Sequence, residues 1–456
     1  MQILIQNGTV VRSTGRKKAD VLVRDGRIAK IAPRIDEAAD RVIDAEGCFV
    51  FAGFIDTHTH FDLDTGVTVT ADNFETGSKA AIVGGTTTVL DFATQDHGMT
   101  MHDALNVWHR KAEKSSCNYG FHMAVSEWND ARKAEVDDMF RAGISSFKMY
   151  MVYDTMKVND GQIYDAQKFI GSRGGIIGVH CENYDVLQAR ILEEKAKGHL
   201  DPTAHPVSRP QAVEAEGVAR LMRIAELSGY PAWVVHLSTA DGLDEVRAAR
   251  KRGVKVYAET CPQYFTLDVS RYADPDGAKF VMSPPLREAR DRAAILNGMR
   301  KRDIDFIGTD HCSFTMAQKA IGKDDFSKIP NGGAGVQNRA ELVYTYAVRT
   351  GAITLEQMAL LLSERAARLF GMFPKKGVIR VGADADLVIF DPNARHTISY
   401  KTNLHACDNS PYEGMEALGK TRDVILNGEL VVENGELTKP YCGTYVFRRP
   451  CAWYRK

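Results

Sequence analysis

The sequence predicts an α/β chain: a (β/α)8 TIM barrel with a small β-sandwich domain built from both chain ends. Three observations predict it. The first ~50 residues read as short strands with turns between them, and no helix-period segment of useful length interrupts them. From Phe54 onward, apolar runs alternate with amphipathic helical stretches, the pattern of repeated βα units. After Gly371 the strand pattern returns.

The N-terminal strands are expected at 1–7, 19–23, 27–31 and 49–51, with turns at Asp25-Gly26 and Glu46-Gly47. Barrel strands are expected at 54–58, 86–92, 121–125, 146–149, 176–180, 232–236, 254–260 and 306–309. Helical periodicity fills the gaps at 102–114, 131–142, 213–227, 241–252 and 289–301, and continues at 339–350 and 355–370. Eight such units predict a closed barrel. A doubly wound open sheet is the rival, and it leaves unexplained why ligand-type residues end so many strands. Segments 377–381, 386–390 and 423–426 read as strands, with a hairpin turn at Asn427-Gly428. The expected division is 1–52 and 371–441 for the two parts of the β domain and 53–370 for the barrel. An aromatic, basic tail at 442–456 is either a docking segment or an ordered terminus.

Composition narrows the class of function. Lys plus Arg total 58 and Asp plus Glu total 59 in 456 residues, so charge gives no reason to expect nucleic acid or an anionic membrane as partner. No apolar run approaches the ~20 residues needed to cross a bilayer. The N-terminus alternates like a strand and lacks the features of a signal peptide, so a cytoplasmic protein is expected. The eight cysteines are scattered without a C-x-x-C pair, which fits a reduced compartment. Cys181 and Cys312 lie within two residues of proposed ligands, and the expected role for both is a small buried side chain.

His58-Thr59-His60 ends the first expected barrel strand, and residues two apart on a strand face the same side. Alone, an H-x-H pair is a weak metal signal. It gains weight because His180 and His236 also end apolar runs and Asp310 ends another. Strand ends converge at one mouth of a barrel, where four histidines and a carboxylate point to metal binding rather than packing. Lys148 ends the fourth strand between apolar neighbours. A plain ammonium there repels cations, but a desolvated lysine favours its neutral amine. That amine can add carbon dioxide, and the resulting N6-carboxylysine is an anion with two oxygens that can bridge two divalent ions. Charge counting agrees: two such ions need Asp310, a bridging anion and a hydroxide to approach neutrality.

These residues, with Gly53-Phe54-Ile55-Asp56-Thr57, Gly84-Gly85-Thr86-Thr87, Val179-His180-Cys181-Glu182-Asn183, Val235-His236-Leu237-Ser238, Glu259-Thr260-Cys261-Pro262-Gln263-Tyr264, Ser283-Pro284-Pro285-Leu286-Arg287 and Thr309-Asp310-His311-Cys312, resemble the amidohydrolase superfamily and, within it, the hydantoinase/dihydropyrimidinase family. The resemblance spans essentially the whole chain. It implies His58 and His60 on one metal, His180 and His236 on the other, carboxylated Lys148 between them, and Asp310 as ligand and proton carrier. The metal expected is zinc. It also singles out Tyr153 as hydrogen-bond donor to the reacting carbonyl, and Ser283 and Asn331 as positions whose backbone groups hold the ring amide. From residue type alone, Tyr153 is one of 16 tyrosines and Asn331-Gly332 a bare turn.

The run Phe61-Asp62-Leu63-Asp64-Thr65-Gly66 is more polar than in many D-hydantoinases and looks closer to phenylhydantoinase-type members. Leu63 and Tyr150 are expected to line the pocket for a ring substituent, with barrel-rim packing as the alternative. The implied reaction is hydrolytic ring opening of hydantoins or dihydropyrimidines to N-carbamoyl amino acids by a metal-bound hydroxide. Allantoinase and dihydroorotase are the enzymatic rivals, and a non-catalytic dihydropyrimidinase-like scaffold is the rival of another class. Dihydroorotases carry an arginine where this chain has Asp62. The resemblance also implies a homodimer or homotetramer.

Overall fold

The structure, a computed structural model, describes residues 2–454. Met1, Arg455 and Lys456 lie outside the described residues, so the first expected strand is seen from Gln2 and the tail as far as Tyr454.

Eight strands pair in chain order, each parallel to the next: β1 (Phe54–Thr59), β2 (Thr86–Gln95), β3 (Asn118–Val125), β4 (Ser146–Tyr150), β5 (Ile176–His180), β6 (Ala232–Val234), β7 (Val256–Thr260) and β8 (Phe306–Ile307). Closure comes just beyond β8, where His311 pairs in parallel with Thr59 and the His60 N–H donates to the His311 carbonyl at 2.8 Å. Both faces of β1, β2, β4 and β5 are buried. That is why these strands read as near-continuous apolar runs rather than alternating ones.

Phe370 and the C-terminal tail close the N-terminal end of the barrel. The Phe370 ring lies 5.1 Å from Trp233 and 5.5 Å from Phe306. The tail is ordered: Val446 N donates to Tyr119 O, and the Arg448 guanidinium, 1 % exposed, reaches Ser146 Oγ and Phe121 O.

Helices Met101–Lys111, Asp130–Arg141, Gln211–Ser228, Ala240–Lys251 and Ala289–Lys301 stand where periodicity placed them. Phe74–Val83, Asp160–Gly171 and Tyr184–Ala196 are additional helices. The stretches 339–350 and 355–370 are not uniform α-helices, because each contains a π-helical turn, at Tyr344–Val348 and Leu360–Glu364.

The small domain has two sheets. One pairs Gln2–Gln6 with Asp20–Arg24 and Arg41–Asp44, and adds Arg27–Ala32 at its edge. The other joins the chain ends: Phe49–Ala52 runs antiparallel to Leu387–Thr397, which pairs with Glu416–Leu426. Ile3, Val21, Val50, Leu387 and Ile425 share their core. Segment 377–381, expected as a strand, is not one. Gly377 at φ 79° and Gly382 at φ 86° bend it, while Ile379 still fills the core between the turns.

Candidate active site

The six expected ligand residues meet at the C-terminal mouth of the barrel. His58 lies on β1, Lys148 on β4, and His180 is the last residue of β5. His60, His236 and Asp310 follow β1, β6 and β8. Ring centroids are 5.2 Å apart for His58 and His60, 5.3 Å for His58 and His236, and 4.5 Å for His180 and His236. Lys148 Nζ lies 2.9 Å from His58 Nε2. Asp310 Oδ1 lies 3.2 Å from His58 Nε2 and 3.3 Å from His60 Nε2. Donor atoms of His58, His236 and Asp310 all fall within 4.8 Å of one another, close enough to line one metal centre. Phe92 forms one wall, its ring 4.7 Å from His58, 5.0 Å from His60 and 4.3 Å from Lys148 Nζ.

Local backbone places these groups at a conformational cost. Tyr153, His236 and Asp310 have φ of 73°, 37° and 52°. Non-glycine residues rarely adopt this left-handed region, so the surrounding fold must hold them there. Just before Asp310, Gly308 admits no side chain, because a Cβ would come within 2.9 Å of His58 Cβ and 3.1 Å of Glu259 Cδ.

Burial sets the protonation states. It drives the imidazoles of His58 and His236 well below their usual range and lowers His180 as well, so these rings are neutral and offer lone pairs. Burial also pulls Lys148 down to about 8, against the opposing charges of Asp310 and Glu259. The thiols of Cys181 and Cys312 are buried and pushed up, which leaves them without nucleophilic character.

Two carboxylates orient the rings. Glu259 Oε1 lies 2.5 Å from His58 Nδ1, and Glu182 Oε2 lies 2.6 Å from His180 Nε2. Each ring therefore has one nitrogen occupied from behind and the other available to the cluster, the arrangement that orients metal-binding histidines. Glu259 also accepts from Thr57 Oγ1 at 2.9 Å and from His236 N at 3.2 Å. Burial alone would raise Glu182, but the Arg209 guanidinium, 2.6 Å away, and His180 outweigh it and hold the carboxyl well below its usual range. His236 Nδ1 is buried with no hydrogen-bond partner among the described residues. Such orphans are rare in folded proteins, and neutral imidazoles around an unpartnered nitrogen fit a cation centre.

Glu259, Glu182 and Arg209 carry no assigned role from the sequence. Glu182 follows His180 by two residues, which is a local signal, whereas Glu259 lies inside β7 and its partner is set by the fold. His311, next to Asp310, is a strut: its Nε2 faces Asp72 at 3.0 Å and its Nδ1 accepts from Gly335 N at 3.0 Å and Val336 N at 3.2 Å.

Tyr153 stands beside the cluster, its ring 5.3 Å from His180, and burial raises its phenol above the usual range. Tyr150 packs against both rings, 6.0 Å from Tyr153 and 6.3 Å from His180. Ser283 adjoins Tyr153. Asn331 is tied to the Ser283 segment through Gly332 N, which donates to Val281 O at 3.0 Å. Among the described residues, the backbone N–H and C=O of Ser283 and Asn331 make no hydrogen bond. Leu63 is not joined to the cluster. It sits half-buried in a rim loop, with its N–H on Thr70 Oγ1 and its carbonyl accepting from Thr70 N. Asp62 turns away from the mouth: its carboxylate accepts the Phe74 N–H at 2.8 Å, at the start of helix Phe74–Val83.

Comparisons with known proteins agree with this geometry. The family model described as "Amidohydrolase family" matches residues 49–431. The chain is similar to a D-hydantoinase of Geobacillus stearothermophilus, 43% identical over 98% of this chain and 97% of that one. It is 39% identical to a D-phenylhydantoinase of Escherichia coli strain SE11, over 99% of each chain. Among solved structures, dihydropyrimidinase from Brevibacillus agri NCHU1002 superposes with a TM-score of 0.97 at 39% identity, covering 99% of this chain and 100% of that one. A barrel of this topology, a histidine, lysine and aspartate cluster at its mouth and full-length similarity to these enzymes lead to one statement: the chain belongs to the amidohydrolase family and, within it, to the hydantoinases.

Proposed function

We propose that this enzyme opens cyclic ureides, 5-substituted hydantoins and dihydropyrimidines, by hydrolysis to N-carbamoyl amino acids, with all six clustered residues as ligands of two zinc ions. The observation that carries the reading is the set of neutral imidazoles, backed by Glu259 and Glu182, around Lys148 and Asp310. His58 and His60 would hold one ion and His180 and His236 the other, and Lys148, carboxylated on its amine by carbon dioxide, would supply the anionic group that both ions need. The lowered Lys148 supports this, since the neutral amine is the form that reacts. When bound, the two ions supply a nucleophile that is ionised at neutral pH and polarise the scissile carbonyl.

The protein's own groups do the rest. Asp310 accepts the proton of the nucleophile as the new C–O bond forms, and delivers it to the ring nitrogen as the amide C–N bond breaks. Tyr153, kept protonated by burial, donates to the oxygen that gains negative charge. The free backbone groups of Ser283 and Asn331 hold the ring amide, and Tyr150 and Leu63 flank the substituent. The active species is a homodimer or homotetramer.

Substrate charge discriminates among family activities. With Asp62 committed to a helix N-terminus, its position supplies no cation for a substrate carboxylate. Measured kcat/KM for 5-phenylhydantoin and dihydrouracil is therefore expected to exceed that for dihydroorotate by at least ~100-fold, about two factors of ten at ~1.4 kcal/mol each. Preferential turnover of dihydroorotate would overturn the assignment.

A further inference from the structure

Lys319 carries a buried cation that the chemistry above does not use. It ends the short helix Met316–Lys319 and is 1 % exposed. Its ammonium donates to three backbone carbonyls: Val281 at 2.8 Å, Pro330 at 2.6 Å and Gly332 at 2.7 Å. An ammonium has three N–H donors, so the set is complete. Among the described residues no carboxylate pairs with it, and burial lowers its affinity for the proton. Burying an unpaired charge is costly. A lysine kept under those terms is held for where it puts its acceptors.

Those acceptors flank the two substrate-holding positions. Val281 lies two residues before Ser283, and Pro330 and Gly332 stand on either side of Asn331. The Pro330 carbonyl and the Asn331 N–H belong to one planar peptide and point in opposite directions. Anchoring that carbonyl on Lys319 turns the Asn331 N–H away from the lysine and leaves it free. Gly332 closes the seam: its N–H reaches Val281 O, and at φ 145° a Cβ would meet Cys312 O at 2.2 Å. From the same short helix, Gln318 Nε2 donates to Thr68 Oγ1 at 2.8 Å and to Val69 O at 2.6 Å, in the rim loop that carries Leu63.

We propose that Lys319 is a positioning residue for the substrate: its ammonium fixes the Val281–Ser283 and Pro330–Gly332 segments together, so that the free backbone groups of Ser283 and Asn331 meet the ring amide at a set spacing. This rests on the reading of Ser283 and Asn331 given above. The test is Lys319→Met in the metal-loaded enzyme, with 5-phenylhydantoin and its two ring N-methyl analogues as substrates. Wild type is expected to prefer the parent ring. In the variant, KM for the parent rises by roughly tenfold or more, as loss of a well-made hydrogen bond implies. The preference over the N-methyl analogues shrinks, and bound metal stays at the wild-type level. A lysine that only stabilised the fold would lower the melting temperature and the active fraction, and would leave KM and the preference alone. That result overturns the proposal. Lys319→Gln, which keeps two N–H donors, gives an intermediate KM and serves if the methionine variant does not fold. A wild-type enzyme indifferent to ring N-methylation removes the Ser283 and Asn331 reading itself. A discriminating wild type with an unchanged variant removes Lys319 alone.

Discussion

Lys148→Ala is expected to abolish ring opening. Lys148 Nζ stands 2.9 Å from His58 Nε2 and beside the Phe92 ring, at the mouth where the ligand residues meet. Alanine leaves nothing to bridge two cations. Losing several kcal/mol of transition-state stabilisation, at ~1.4 kcal/mol per factor of ten, lowers kcat/KM by about a thousandfold or more. Metal content should fall in step, and short carboxylic acids such as acetate should restore part of both by standing in for the carbamate. A variant with wild-type activity and wild-type metal content would rule out the bridge.

Tyr153→Phe carries the second-largest expected effect, and it should separate from metal binding. Tyr153 touches no ligand by hydrogen bond; its ring lies 5.3 Å from His180 and its backbone is held at φ 73°. Removing an oxyanion donor typically costs about 2.7–4 kcal/mol, roughly 10²–10³ in kcat. KM and metal stoichiometry should change little, since phenylalanine keeps the ring. An unchanged kcat would make Tyr153 a packing residue.

Much of this was legible in the chain. His58, His180 and Lys148 stand at the ends of apolar runs, and in a parallel barrel such runs are strands whose ends share one mouth. His236 and Asp310 were legible as strand-end residues, although their strands stop earlier, at Val234 and Ile307, and both residues sit in left-handed turns. Orientation was not legible. The partner of His58 Nδ1 is Glu259, 201 residues further along the chain, and no local pattern marks it. Asp62 reads as a pocket carboxylate by position, yet it caps a helix that sequence periodicity did not reveal. Residues 377–381 alternate like a strand, but glycines at both ends impose turns while Ile379 satisfies the same core. Lys319 carries no local signal, and only the fold brings three carbonyls around it.

The two-metal reading is tested most directly by titration. Purified wild-type enzyme is stripped with a chelator, and hydrolysis of 5-phenylhydantoin is followed as zinc is added back in known equivalents with bicarbonate present. Activity should be absent in the stripped protein and should rise to a plateau at two equivalents per chain, with Lys148→Ala failing to reach it. Full turnover by metal-free protein, or a plateau at one equivalent, would contradict the account.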